Sequence, residues 1–89
     1  MIYGLSHKFD KLNNEEIINE IIKAVKEEES VFEIEYTDYE EYYWNKNGTI
    51  VYSKEDENTS SPAIKVTEDY VKVQLATAIS NNHTIYFNC

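Results

Sequence analysis

The sequence predicts an α+β fold: a single small domain in which an N-terminal amphipathic helix packs on an antiparallel sheet of about four to six strands. Three observations carry that expectation. Ile17, Ile18, Ile21, Ile22, Ala24 and Val25 recur at the i, i+4 and i, i+7/8 spacings of a helix with one apolar face. Residues 31 to 37, Val-Phe-Glu-Ile-Glu-Tyr-Thr, alternate with the period of two that puts successive side chains on opposite faces of a strand. Asn47-Gly48 stands between two aromatic-rich runs as a hairpin signal, because a type I′ turn requires positive φ at both central residues.

Length and composition agree with one domain spanning residues 1–89. A chain of this size buries roughly 60 to 65 per cent of its unfolded surface and folds without staples. A hydrophobic content of 42% and an aromatic content of 13% argue against intrinsic disorder despite the charge.

Along the chain, Met1 to Leu12 carries apolar residues at no clean period and is expected to be an irregular arm or short strand on the body. Asn13 or Asn14 caps the helix, with Glu15 and Glu16 in the first turn at the positive end of the dipole. The helix stops near Ser30. In the strand that follows, Phe32, Ile34 and Tyr36 face one way, Glu33 and Glu35 the other. After a bend at Asp38 and Tyr39, a second strand runs from Glu40 to Lys46. A two-residue turn at Asn47-Gly48 pairs Lys46 with Thr49, Trp44 with Val51 and Tyr43 with Tyr52, so Tyr42, Trp44 and Val51 share one face and Tyr43, Ile50 and Tyr52 the other. Both faces are rich in rings. Either some rings stay exposed, or the second half of the chain or a second copy covers them.

Lys54 to Pro62 is a polar surface loop, and Ala63 to Thr67 a short strand. Residues 67–80 admit two readings: a helix capped at Thr67 with Tyr70, Val71, Leu75, Ala78 and Ile79 inward, or a strand at Tyr70 to Ala76. The β-branched alternation tips the choice toward the strand. Ser80-Asn81-Asn82 is a turn, and His83 to Asn88 closes the sheet.

Charge is the unusual global property. Seventeen acids face eight lysines, with no arginine, for a formal net charge of −9. A protein that grips phosphates needs clustered Lys and Arg, so direct binding to nucleic acid or to an anionic membrane is not expected, and steering toward basic protein surfaces is. The acids concentrate between Glu27 and Asn45: Glu27, Glu28, Glu29, Glu33, Glu35, Asp38, Glu40 and Glu41, interleaved with Phe32, Tyr36, Tyr39, Tyr42, Tyr43 and Trp44. Close carboxylates on a solvated surface repel by tenths of a kcal/mol per pair, so folding alone gives little reason to collect them. The expected partner-binding residues are Glu28, Glu29, Glu33, Glu35, Asp38, Tyr39, Glu40, Glu41 and Tyr43.

In size, charge and this acidic run the chain resembles the small acidic phage-encoded inhibitors, including anti-CRISPR, anti-restriction and uracil-DNA glycosylase inhibitor proteins, that imitate DNA. The resemblance implies a protein that occupies the nucleic-acid channel or PAM-reading surface of a basic enzyme, in the host cytosol if phage-encoded. The alternatives are an immunity or antitoxin protein for a cationic nuclease, a small-ligand sponge, or a structural homodimer that buries the Tyr42 to Trp44 face.

Catalysis is not expected. His7 and His83 sit in no ligand spacing, and only a fold that joined them with Asp10 and Cys89 would make a metal site. With Gly4 and Gly48 the only glycines, no phosphate-cradling loop is available, and no cofactor is expected. A single cysteine, Cys89, allows no internal disulfide and fits a reducing, cytoplasmic setting. No run approaches the roughly 18 apolar residues of a membrane span.

Overall fold

The computed structural model describes residues 2–3, 12–28 and 30–88. In chain order these form β1 (Ile2–Tyr3), α1 (Asn14–Glu28), β2 (Val31–Glu35), β3 (Glu40–Lys46), β4 (Thr49–Glu55), β5 (Ile64–Lys65), α2 (Glu68–Ser80) and β6 (Thr84–Asn88). The strands make one sheet in the order β1-β6-β2-β3-β4-β5, antiparallel except for the β1–β6 pair. This is the expected α+β fold. Of the expected N-terminal arm, Met1 and residues 4–11 lie outside the described residues.

Local chemistry explains each helix start. At α1, the Glu16 amide donates to Asn13 Oδ1 at 2.9 Å while the Asn13 amide donates to Glu16 Oε1 at 3.4 Å, the reciprocal arrangement of a capping box. Ile18, Ile21, Ile22 and Val25 then bury one face. Residues 68–80 are helical, so the strand preferred for Tyr70 to Ala76 is corrected. Thr67 decides it: its hydroxyl accepts from the Tyr70 amide at 3.1 Å, and Glu68 and Asp69 follow in the first turn. Val71, Leu75 and Ala78 are buried at i, i+4 and i+7, while Val73 is 60% exposed, which a half-buried strand would not allow. The β-branched residues satisfied a period of two by coincidence.

Both helices lie on one side of the sheet and touch each other there. Lys26 Nζ reaches Glu68 Oε1 at 2.9 Å across their seam. The core between helices and sheet takes Phe32 and Ile34 from β2, Tyr43 from β3, Ile50 from β4, and Ile85 and Phe87 from β6. Phe32 and Tyr43, partners in the β2–β3 register, stack at 4.6 Å.

The hairpin turn sits where the sequence places it. Asn47 and Gly48 have φ of 55° and 86°, and the register pairs Lys46 with Thr49, Trp44 with Val51, Tyr43 with Tyr52 and Tyr42 with Ser53. Asn45 locks the turn, accepting from the Gly48 amide at 2.8 Å and donating to the Lys26 carbonyl at 2.7 Å. The hairpin tip is thereby tied to the end of α1.

Because Thr67 is the cap that selects helix over strand, Thr67→Ala is expected to cost about 1 kcal/mol, with Thr67→Ser close to wild type, in urea unfolding monitored by circular dichroism.

Candidate functional site

With both helices on one side, the alternation of each strand sorts the acidic stretch onto two different surfaces. Glu33 and Glu35 of β2 lie on the side away from the helices, with Glu40, Tyr42 and Trp44 of β3 and Val51 and Glu55 of β4. Register aligns them across the strands: Glu35 opposes Glu40, and Glu40 opposes Glu55. Three carboxylates thus follow one another on adjacent strands about 4.8 Å apart. In the next row Glu33 opposes Tyr42, and its carboxylate beside the hydroxyl holds that phenol above its usual range. Further along, Trp44 opposes Val51, and Val51 opposes Lys65. Val31 and Tyr86, on the same face, are 36% and 40% exposed.

The loops at the acidic end extend it. Asp38 in the β2–β3 loop and Asp56 and Glu57 after β4 join Glu40 and Glu55 around a hollow of about 450 Å³, with Tyr39 on its wall. The Asn58 and Thr59 amides donate to Asp56 Oδ1 at 2.9 and 2.7 Å, and these bonds lower its pKa and keep it ionised.

Two expected contact residues are not on this surface. Tyr43 is fully buried and Glu41 is 6% exposed, both on the helix side of the sheet. The reason is parity. Phe32 pairs with Tyr43 and Ile34 with Glu41, so the core face of β2 carries both inward. Glu41 there stands among phenols: Tyr43 Oη donates to its Oε1 at 3.4 Å, and Tyr36 and Tyr52 are near enough for the carboxylate to raise their pKa values. Burial first, then Glu41, pushes the phenols of Tyr36, Tyr43 and Tyr52 above their usual range, and Tyr70 rises for the same reasons. Tyr36 also stacks on Tyr39 at 4.7 Å, and Lys54 Nζ stands 4.2 Å from the Tyr39 ring centroid. The polar knot under the sheet therefore holds the acidic loop above it.

The remaining residues divide. Glu33, Glu35 and Glu40 share the open face, Asp38 and Tyr39 lie at its rim, and Glu28 closes α1, near the hairpin end. Glu29 lies outside the described residues, as do His7, Asp10 and Cys89. The sequence reading missed Glu55, placed in a polar loop, although extending the Asn47-Gly48 register by six more pairs reaches it opposite Glu40. Among the described residues no group of three or more His, Cys, Asp or Glu is arranged to hold a metal ion. No helix among them is long and apolar enough to cross a membrane.

Comparison with protein families, with curated proteins and with solved structures finds no match to this chain.

The buried phenols fix an alkaline limit. A phenol whose pKa is raised by folding favours the folded state below its unfolded value near 10, and that contribution is lost as pH rises beyond it. Spectroscopic titration is expected to show some of the eight tyrosines ionising near pH 10 and the buried group ionising only as the fold is lost. Glu41→Ala, which removes the acceptor of the buried Tyr43 hydroxyl, is expected to cost roughly 1 to 3 kcal/mol in urea unfolding.

Proposed function

We propose that this chain is an inhibitor that docks its open sheet face on a basic nucleic-acid-processing protein, such as a CRISPR effector or restriction nuclease, and occupies the site nucleic acid would take. The observation that carries the reading is the acidic end of that face. Glu35, Glu40 and Glu55 stand directly across from one another, with Glu33 one pleat along and Asp38, Asp56 and Glu57 on the rim. One lysine reaches the rim: Lys54 pairs with Glu41 on the helix side of the sheet, and its Nζ stands 4.2 Å from the Tyr39 ring centroid, leaving the carboxylates in excess at this end.

Folding does not ask for this arrangement. Like charges directly opposed on neighbouring strands destabilise a sheet, whereas a basic surface converts the same charges into attraction and fast encounter. Partly exposed rings beside the acids, Tyr42 and Trp44 with Tyr86 alongside, supply rigid contact area. The reading places the protein in the cytoplasm, where such enzymes act, and assigns it no catalytic step and no cofactor.

One substitution separates folding from binding. Glu40→Lys replaces two repulsive cross-strand pairs, Glu35–Glu40 and Glu40–Glu55, with attractive ones, so thermal unfolding is expected to show stability unchanged or raised by a few tenths of a kcal/mol. Partner capture should fall sharply.

The triple variant Glu35→Lys, Glu40→Lys, Glu55→Lys is expected to stay folded and abolish capture from a bacterial lysate containing CRISPR and restriction nucleases. Wild-type capture should weaken steeply with salt and with added DNA. Undiminished capture by the triple variant would refute the reading.

A further inference from the structure

The open face carries rings as well as acids, and their order along the strands narrows the kind of nucleic-acid site it would fill. A duplex turns its phosphates outward and keeps its base faces stacked inside, so a protein surface that holds a duplex meets phosphates, sugars and base edges but no open ring face. A single strand differs. It offers phosphates and exposed base faces side by side, and its receptors combine a basic groove with aromatic platforms on which bases stack.

This face has the second pattern. Along β3 the side chains pointing away from the helices are Glu40, Tyr42, Trp44 and Lys46, so the rings stand about 7 and 13 Å beyond the carboxylate row. On β2 the same direction runs Glu35, Glu33, Val31. The acids occupy one end of the strands and the rings the other. Tyr42 joins the two zones, since it stands opposite Glu33 in the β2–β3 register and two residues before Trp44 on the same face of β3. Val31 and Tyr86 flank the rings, both more than a third exposed. Beyond Trp44 the acidic character ends: Lys46 and Lys65 border a hollow of about 240 Å³ at the hairpin end, where a continuous imitation of duplex phosphates would need further carboxylates.

We infer that the occupant of this face is a protein surface that binds single-stranded nucleic acid, with the carboxylates of Glu33, Glu35, Glu40 and Glu55 taking phosphate positions and the rings of Tyr42 and Trp44 taking base positions. The inference rests on the reading that the face docks on a basic nucleic-acid-binding protein, and it adds the form of the nucleic acid displaced.

The test is competition with two nucleic acids of equal phosphate count. The protein captured from lysate by the immobilised chain is identified, purified and titrated against wild type and variants, with oligothymidylate or a blunt duplex as competitor. The expected result is displacement by oligothymidylate at concentrations where the duplex does little. Trp44→Ala should lose about tenfold in affinity and Trp44→Phe should retain most of it, since stacking needs a ring rather than an indole. Because Val51 lies buried beside Trp44, melting curves accompany each variant, and Tyr42→Phe, which keeps the ring but frees Glu33, serves as a second probe expected to weaken binding less than Trp44→Ala.

Displacement by the duplex at least as readily as by the single strand, with a folded Trp44→Ala variant binding like wild type, would overturn the single-strand inference and leave the docking reading standing. Capture insensitive to both nucleic acids and to the Glu35, Glu40 and Glu55 reversals would overturn the docking reading itself, and so would recovery of nothing but further copies of the chain.

Discussion

The arrangement on which the rest of this molecule depends is the packing of both helices on one side of the sheet. A strand by itself only alternates; it becomes a two-faced object when something covers one face. Here the apolar faces of α1 and α2 meet Phe32, Ile34, Tyr43, Ile50, Ile85 and Phe87, and each of those residues fixes the parity of its strand. Once Phe32 and Ile34 are inside, Glu33 and Glu35 are outside. Once Tyr43 is inside, Trp44 and Tyr42 are outside, and Glu41 has no choice but to come in.

Burying Glu41 is costly unless its oxygens are satisfied, and the sequence supplies phenols rather than a cation for the purpose. A lysine was available across the strand, since Lys54 is its register partner. Instead Lys54 lies over the Tyr39 ring, and Tyr36, Tyr43 and Tyr52 serve the carboxylate. The consequence is mechanical. Tyr36 packs against the core beneath and stacks on Tyr39 beside it, and the Tyr36 amide donates to the Tyr39 carbonyl at 2.9 Å, closing the loop that presents Asp38. A loop crowded with like charges would otherwise spread. The knot beneath supplies what holds it in place, so core and rim are parts of one device.

How much of this was legible in the sequence follows from the range of the interactions involved. The first helix, its cap and the Asn47-Gly48 register are set by residues within a few positions of one another, and they could be read with little ambiguity. The helical state of 68–80 was harder because Tyr70, Val71, Val73 and Leu75 satisfy both periods in part, and the decision falls to one hydroxyl at Thr67. The inward turn of Glu41 and Tyr43 could not be read from β3 alone, since both faces of the hairpin are rich in rings. It required the pairing of β2 with β3, which depends on the four-residue loop from Tyr36 to Tyr39. Glu55 is a different case. Its place opposite Glu40 is implicit in the hairpin register but masked by polar neighbours that carry the composition of a loop.

Charge and parity together explain why an acidic stretch that is continuous in sequence is not continuous in space. Of its eight carboxylates, three lie on the open face, one is buried under it, one stands at its rim, Glu27 and Glu28 at the end of α1 belong to the hairpin end of the molecule, and Glu29 lies outside the described residues. Glu55, Asp56 and Glu57, from outside the stretch, then join the face and rim. The acidic surface is therefore a product of the fold rather than of the run. A charge-rich segment kept only for solubility would have no reason to recruit a carboxylate from a second hairpin strand to stand opposite Glu40, where the cross-strand pair repels. Rings placed next to such a row also gain nothing from water. Carboxylates that repel and rings that stay partly exposed share one side of one sheet, and a basic, ring-accepting partner of the kind proposed would turn both costs into binding energy.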